Sequence, residues 1–129
     1  MSTPHLPHRW RPSLLAAILL LVGSAIPLPG RINPDTGPYG PDKLLHLLGH
    51  AGLTAALAAG LVASSGGAAT ARDGLFAVGL STGFGLATEA LQESVPGRSF
   101  ETGDVLAGLV GSLVGALGWR RVRARAHDA

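Results

Sequence analysis

The sequence predicts an all-α fold: a polytopic membrane protein built as a compact bundle of four transmembrane helices. Three observations lead to this prediction. The apolar residues of the 129-residue chain form long clusters that lack the periodicity of an amphipathic helix. The charged residues fall between these clusters, which is the distribution expected in a lipid bilayer. The mean hydropathy of +0.34 understates the pattern, because 19 glycines and many alanines dilute the average.

The composition also bounds the number of domains and the class of partner. At 129 residues there is room for one domain, predicted at residues 13–119 between an N-terminal tail, 1–12, and a basic tail, 120–129. The chain has no cysteine, which excludes disulfides and thiolate metal ligands. The net charge is only +2 and the basic residues lie beside apolar segments without interleaved aromatic residues, so no nucleic-acid partner is expected.

The first transmembrane helix is predicted at about residues 13–29. This segment carries no charge, and Ser13 is a plausible N-cap. About 16 helical residues cover roughly 24 Å, which is short of the ~30 Å hydrocarbon core but sufficient when flanking side chains reach the interface. A cleaved signal peptide is the alternative, because arginines precede the segment and Gly23-Ser24-Ala25 resembles a cleavage site.

Three further segments are predicted as helices, at about residues 42–65, 74–92 and 104–119. Pro41 suits the first turn of the second helix, and the acidic Asp42 suits the positive end of the helix dipole. Arg72 and Asp73 are expected in a short polar connection before the third helix. A Pro-Gly turn separates the third helix from the fourth.

Glycines recur at spacings that let helix backbones approach each other closely. In an exposed helix each would cost roughly 1 kcal/mol relative to alanine, so packing against a neighbouring helix is expected to justify them. The predicted packing residues are Gly79, Gly83, Gly108, Gly111 and Gly115. The stripe on the fourth helix, which Gly118 extends, would also suit a homo-oligomer or a partner protein that docks on it.

The distribution of lysine and arginine predicts the orientation in the membrane. With four spans, one side carries seven cations, namely Arg9, Arg11, Arg72, Arg120, Arg121, Arg123 and Arg125. The other side carries three, namely Arg31, Lys43 and Arg98. Cationic loops favour the cytoplasmic side, so both termini are predicted to be cytoplasmic in a multi-pass protein of the plasma membrane.

Polar residues gather at the predicted outer ends of the helices. They form a candidate binding cluster of Asp42, Lys43, His46, His50, Glu89, Gln92, Arg98 and Asp104. On the second helix, Asp42, His46 and His50 follow each other at intervals of four and share one ridge. Glu89 lies about one turn inside its helix end, where an unpaired carboxylate is costly in lipid. We therefore predict that His46 and Glu89 converge on one water-facing pocket.

Structural explanations compete with a functional role for several of these residues. Asp42 and Asp104 suit the N-cap positions of their helices, and His46 and His50 suit buried hydrogen-bonding partners. The basic tail suits a topology signal that contacts anionic lipid. No cofactor and no metal are assigned, although Asp42, His46 and His50 are a weak alternative as metal ligands.

The order of these motifs resembles the VanZ-like integral membrane family. The matching residues are Asp42, Lys43 and His46 in D-K-x-x-H, Glu89 and Gln92 in E-x-x-Q, Pro96 to Arg98 in P-G-R, and Asp104 to Gly115 in D-V-L-A with G-x-x-x-G. The resemblance covers about residues 41–117. Two departures are His50, where that family usually has an aromatic residue, and Gly108, where it usually has asparagine.

The resemblance implies a small multi-helix protein of the cell envelope, in a family named after a protein linked to low-level teicoplanin resistance. It implies no settled reaction. The first functional hypothesis is accordingly non-enzymatic: the cluster binds a lipid headgroup, a lipid-linked cell-wall precursor or an amphiphilic drug. In that hypothesis Arg98 and Lys43 contact an anionic group, while Glu89 and His46 orient them.

Two other hypotheses belong to different functional classes. One is a membrane-embedded hydrolase or transferase that uses His46 as general base, with Glu89 or Asp104 as its orienting or metal-binding partner. The other is a structural subunit whose glycine stripe docks on a partner helix. The sequence favours the non-enzymatic hypothesis, because no nucleophile is indicated by its spacing from the histidines.

Overall fold

The computed structural model describes residues 7–25, 40–94 and 99–128, and the regular secondary structure in these ranges is helical. A short 3₁₀ helix, His8–Trp10, precedes four α-helices: α1 (Arg11–Ala25), α2 (Pro41–Ser65), α3 (Ala71–Glu93) and α4 (Thr102–His127). No β-strand occurs in these ranges. The all-α class predicted from the sequence is therefore confirmed.

Three of the four helices are long and apolar enough to cross a membrane. By length and composition these are α2, α3 and α4, whereas α1 has only 15 residues. In the described ranges, the buried residues include eleven polar or charged residues and six hydrophobic ones, while 20 large apolar side chains are exposed. A polar interior under an apolar exterior is the reverse of a water-soluble domain and is compatible with a lipid environment.

Contacts at glycines fix the direction of α1 relative to α2. A Cβ atom at Gly60 would lie 2.7 Å from the ring of Trp10, and one at Gly49 would overlap the side chain of Leu20. Near the other end of the pair, a Cβ atom at Gly23 would lie 3.3 Å from Leu45. Positions late in α1 thus meet positions early in α2, so the two helices are antiparallel.

The fourth helix runs parallel to α2 and packs against its backbone. A Cβ atom at Gly111 would overlap the backbone carbonyl of Leu47, and one at Gly115 would overlap that of Ala51. These two glycines therefore serve the close helix packing that the sequence predicted. They pack inside the chain, so the expected docking surface for a partner helix is covered by α2.

The third helix is antiparallel to both α2 and α4. Ser81 of α3 contacts Ser112 of α4, and Glu89, nearer the end of α3, lies close to Asp104 at the start of α4. The starts of α2 and α4 and the ends of α1 and α3 therefore meet at one end of the bundle, here named the polar end. The opposite end, named the cationic end, carries the seven described arginines.

Several predicted helix bounds and caps are wrong. Ser13 lies inside α1, which begins at Arg11, and the predicted end of that helix at residue 29 lies outside the described residues. Arg72 and Asp73 belong to the first turn of α3 because Thr70 and Asp73 form a capping box that starts the helix at Ala71.

The fourth helix also extends further than predicted, to His127 instead of residue 119. Arginine has a high helix propensity, and cations near a helix C-terminus interact favourably with the helix dipole. The basic segment is therefore a continuation of α4, and its described part is not a separate tail.

Two predicted packing glycines have no packing role in the described chain. Gly79 and Gly83 are exposed on α3, and a Cβ atom at either would meet no neighbouring heavy atom within 4 Å. The same is true of Gly118, which extends the stripe on α4. The sequence motif alone does not distinguish Gly118 from Gly111 and Gly115, because only the path of α2 decides which face of α4 is covered.

Candidate functional site: a buried polar cluster

Six side chains from three helices meet at the polar end of the bundle. They are named the polar cluster here: Asp42, Lys43 and His46 from α2, Glu89 from α3, and Glu101 and Asp104 from the start of α4. The antiparallel course of α3 brings its last turns beside the first turns of α2 and α4. This arrangement explains how residues 58 positions apart, Lys43 and Glu101, come into contact.

The centre of the polar cluster is a histidine between two carboxylates. His46 Nε2 lies 3.4 Å from Asp104 Oδ2 and 3.7 Å from Glu89 Oε1. All three side chains are buried, with 2–4% of their surface exposed. The structure thus brings His46 and Glu89 together as predicted, but the pair is buried among the helices instead of lining a water-facing pocket.

Lys43 interacts with the carboxylates on the outer side of the cluster. Its Nζ atom lies 3.2 Å from Glu101 Oε2, 3.5 Å from Asp104 Oδ1 and 3.7 Å from Asp42 Oδ2. The stem of Lys43 also covers Gly103, where a Cβ atom would lie 2.8 Å from its Cε atom. Three carboxylates therefore share this one ammonium group. The contact of Lys43 with an anionic ligand stays a prediction.

The expected N-cap roles of Asp42 and Asp104 are wrong. The N-cap residue of α2 is Gly40, followed by Pro41, and that of α4 is Glu101; neither start has a side-chain cap hydrogen bond. Asp42 and Asp104 lie in the first turns of these helices instead. Their carboxylates contact side chains of the cluster, so they connect helices.

Glu89 is held from the far side by the chain that leads into α4. The backbone N–H of Glu101 donates a hydrogen bond of 3.3 Å to Glu89 Oε2, while Glu89 Oε1 is the oxygen near His46. The two oxygens of this carboxylate thus have different neighbours. This contact ties the end of α3 to the start of α4.

His50 forms a second layer beneath the cluster. Its ring stacks on that of His46 with 6.2 Å between centroids, and its Nδ1 atom lies 2.9 Å from the hydroxyl of Ser81. The Ser112 hydroxyl in turn lies 3.0 Å from that of Ser81. A buried hydrogen-bonded chain thus connects α2, α3 and α4, and it matches the structural alternative considered for His50.

Two glycines make room for the His50 ring. A Cβ atom at Gly85 would lie 2.9 Å from His50 Cε1, and one at Gly108 would lie 3.0 Å from His50 Cδ2. Gly108 therefore does pack, but against a side chain. His50 and Gly108, the two departures from the VanZ-like pattern, are in contact with each other.

A small cavity adjoins the buried histidines. Its volume is about 10 Å³, which is close to the minimum that one water molecule needs. Its lining residues are His46, His50, Thr82, Gly85, Glu89, Asp104, Val105, Gly108 and Leu109. The cluster thus has space beside it for a single small group.

One predicted site residue, Gln92, lies elsewhere, and one alternative ligand set is not assembled. Gln92 donates a hydrogen bond of 3.0 Å to the backbone carbonyl of Ser24, which ties α3 to α1. Arg98 lies outside the described residues. His50 faces Ser81, so Asp42, His46 and His50 do not converge as metal ligands. The described groups that do converge within 4.8 Å are His46–Glu89–Asp104 and Asp42–Glu101–Asp104.

Sequence reasoning missed three participants. Glu101 was not assigned to the site, although its position three residues before Asp104 was a usable signal. Ser81 and Ser112 were missed because a serine in an apolar helix is common and its hydrogen bonds often stay within the helix. Only the packing of α2, α3 and α4 reveals that these hydroxyls meet His50.

Comparisons with family models, curated proteins and solved structures find no match for this chain. The chemistry of the site therefore has to be derived from its own geometry. A buried histidine between two carboxylates can accept or release a proton, orient a hydrogen-bonding ligand or hold a cation.

Proposed function

We propose that the chain is a VanZ-like, polytopic membrane protein of the cell envelope that binds an amphiphilic molecule at the polar cluster. The apolar exterior supports the membrane assignment, and α2, α3 and α4 supply three spans. The fourth span in this proposal is α1, which lies along α2 and covers roughly 22 Å. A span of that length needs local thinning of the bilayer or anchoring by its flanks.

The proposed orientation puts the polar end outside the cell. Seven described arginines belong to the cationic end, whereas Lys43 is the cation described at the polar end. This asymmetry supports cytoplasmic termini by the positive-inside rule. Labelling tests it directly, because the chain has no native cysteine. In intact cells a membrane-impermeant maleimide is expected to label Ser99→Cys and not Gly67→Cys; the reverse pattern contradicts the orientation.

The observation that carries the binding proposal is the buried convergence of His46, Glu89 and Asp104 at a helix-bundle end. Buried ionisable groups in a membrane bundle are costly and mark functional sites more often than structural ones. Among the described residues, the cluster has four carboxylates and one ammonium group. These described carboxylates suit an amphiphile whose head donates hydrogen bonds or carries an ammonium group. The anionic head expected from the sequence depends in part on Arg98, which lies outside the described residues.

A role in susceptibility to teicoplanin follows from the resemblance to the VanZ-like family. In a susceptible bacterium, expression of the chain is expected to raise the minimal inhibitory concentration of teicoplanin. Glu89→Gln is expected to abolish the increase because it removes a carboxylate from the centre of the cluster. Glu93→Gln, which changes an exposed carboxylate one turn further along α3, serves as the matched control.

Membrane abundance must be measured in the same strains by immunoblotting. The proposal requires that Glu89→Gln reach the membrane at the level of the wild type while losing the effect. Equal loss of protein and effect would instead favour a purely structural role for Glu89. An unchanged inhibitory concentration with the wild-type chain would contradict the teicoplanin proposal.

The second candidate function is a membrane-embedded hydrolase or transferase. The observation that favours it is the placement of His46 Nε2 beside two carboxylates, which suits a general base oriented by its neighbours. The nucleophile in this candidate is a water in the adjoining cavity. Mass spectrometry of lipid-linked cell-wall precursors incubated with purified wild type and His46→Gln would test it, since turnover must depend on His46.

A further inference from the structure

We infer that His46, Glu89 and Asp104 form a binding site for a divalent transition-metal ion of the zinc class. The inference deepens the proposed function and rests on it for the role of the cluster at the end of a membrane bundle. The three ligand atoms come from three different helices, so an ion bound there would tie α2, α3 and α4 together. The site was not assigned from the sequence, which offered a different set of ligands.

The distances around His46 suit a zinc ion. Zinc binds nitrogen and carboxylate oxygen at about 2.0–2.2 Å in tetrahedral geometry, which separates neighbouring ligand atoms by about 3.3–3.6 Å. His46 Nε2 lies 3.4 Å from Asp104 Oδ2 and 3.7 Å from Glu89 Oε1. One ligand atom from each of the three residues lies within 4.8 Å of those of the other two. Small side-chain shifts would complete three corners of a tetrahedron.

Both carboxylates are oriented by groups outside the site. Asp104 presents Oδ2 to His46 while Lys43 holds Oδ1 at 3.5 Å. Glu89 presents Oε1 to His46 while the backbone N–H of Glu101 holds Oε2 at 3.3 Å. Metal ligands are commonly fixed in this way, with a hydrogen bond or charge on the atom that faces away from the ion. The same pattern on two helices distinguishes this set from an accidental group of acids.

The cavity beside the three ligands offers a fourth position. It has room for about one water molecule and is lined by His46, Glu89 and Asp104. The Thr82 hydroxyl also lines it and has no hydrogen-bond partner among the described residues. Three protein ligands with one open position are the arrangement of catalytic zinc sites, whereas closed structural sites use four. A mixed nitrogen and oxygen set also suits zinc better than magnesium or calcium.

Equilibrium dialysis of the purified full-length protein in detergent tests the inference. The protein is first stripped with a chelator, then dialysed against Zn²⁺, and its zinc content is measured by elemental analysis. One zinc ion per chain is expected, with no displacement by a tenfold excess of Mg²⁺ or Ca²⁺. Wild-type protein that retains no stoichiometric zinc would overturn the inference.

Matched variants separate the buried site from surface ligands. Glu89→Gln, Asp104→Asn and His46→Gln are each expected to lose most of the bound zinc. Glu93→Gln and His127→Gln, which change exposed residues, are expected to retain it. Equal zinc content in both groups would mean adventitious binding and would overturn the assignment.

Thermal unfolding provides a readout that does not depend on the variants folding well. Zn²⁺ is expected to raise the midpoint of the stripped wild type, and Mg²⁺ is not; the absence of any shift counts against the site. Zinc binding is measured without teicoplanin or a lipid-linked precursor, so the two proposals can fail separately. Zinc binding without an effect on teicoplanin susceptibility would support the metal site and contradict the teicoplanin proposal. An effect on teicoplanin susceptibility without zinc binding would support the teicoplanin proposal and overturn the metal site.

Discussion

The two ends of the bundle begin their helices in different ways. At the cationic end, α3 starts with a capping box. The backbone N–H of Thr70 donates a hydrogen bond of 2.8 Å to Asp73 Oδ2, and the backbone N–H of Asp73 donates one of 3.3 Å to Thr70 Oγ1. At the polar end, α2 and α4 start at Gly40 and Glu101 without a side-chain cap hydrogen bond. One acidic residue nevertheless occurs in the first turn of each of these three helices.

The difference lies in what those acidic residues contact. Asp73 is used locally by the helix that carries it, whereas Asp42 and Asp104 contact Lys43 and His46. A helix end that stands alone satisfies its backbone with its own side chains. Where several ends converge, the same carboxylates can be committed to other helices. The cationic end should therefore respond to mutation locally, and the polar end should respond as a unit.

The largest effect is expected when α2 and α4 are forced apart. Gly111→Leu would place a side chain against the backbone of Leu47, which cannot move without shifting α2. A loss of about 3 kcal/mol or more in the free energy of unfolding is expected, with disruption of the polar cluster. The measurement is unfolding in mixed micelles with a denaturing detergent, followed by circular dichroism.

The matched control for this substitution is Gly118→Leu on the same helix. A Cβ atom at Gly118 meets no neighbouring heavy atom within 4 Å, so the change is expected to have little effect or to stabilise the helix slightly. If both variants unfolded with the same midpoint, the close contact between α2 and α4 would not be a determinant of the fold.

A smaller loss is expected when the polar end loses its shared cation. Lys43→Gln leaves the neighbouring carboxylates without their ammonium partner. Removing one member of a buried ion pair costs about 3–5 kcal/mol, and the partial exposure of Lys43 reduces the expected loss to about 2 kcal/mol. The same unfolding measurement applies to metal-free protein. Arg121→Gln at the exposed cationic end should change stability by less than about 0.5 kcal/mol, and a comparable loss there would remove the contrast between the ends.

The smallest effect is expected at the cationic end. Thr70→Ala removes the side-chain cap of α3 and should cost about 1 kcal/mol, the typical value for an N-cap. Hydrogen exchange should show faster opening of the first turn of α3 and unchanged protection near Glu89. Altered protection around Glu89 in Thr70→Ala would show that the two ends are coupled.

The matched control for the cap is the same substitution at the start of another helix. Thr102 is exposed in the first turn of α4, and that helix start has no side-chain cap hydrogen bond. Thr102→Ala should therefore leave the stability nearly unchanged and the first turn of α3 as protected as in the wild type. A loss equal to that of Thr70→Ala would mean that the capping box does not account for the effect.

The sequence predicted much of the fold because the apolar segments are long and the connections are rich in glycine and proline. The helices α2, α3 and α4 occupy the predicted segments, with shifts of one to three residues at their starts. The shift at α3 comes from the capping box of Thr70 and Asp73, whereas α2 and α4 start without a side-chain cap hydrogen bond. The predicted end of α4 at residue 119 is wrong because arginines also favour helix, and α4 continues to His127.

The candidate site was predicted in part. The ridge of Asp42 and His46 and the position of Glu89 followed from helical spacing and from the cost of charge in lipid. Gln92 shares a face with Glu89 in the sequence pattern, yet it bonds to Ser24 because α1 covers the end of that face. Lys43 was expected to be available for a ligand, and the structure surrounds it with carboxylates instead.

By itself, the sequence determined the helical class, the segments that form the helices and the separation of cations from acids along the chain. These properties depend on local composition and on spacing within one helix. The tertiary structure alone decided that Gly111 and Gly115 face α2, that His50 meets Ser81, and that His46 lies between Glu89 and Asp104. Each of these contacts depends on the direction and rotation of one helix relative to another. No short sequence pattern specifies how two helices far apart in the chain pack together.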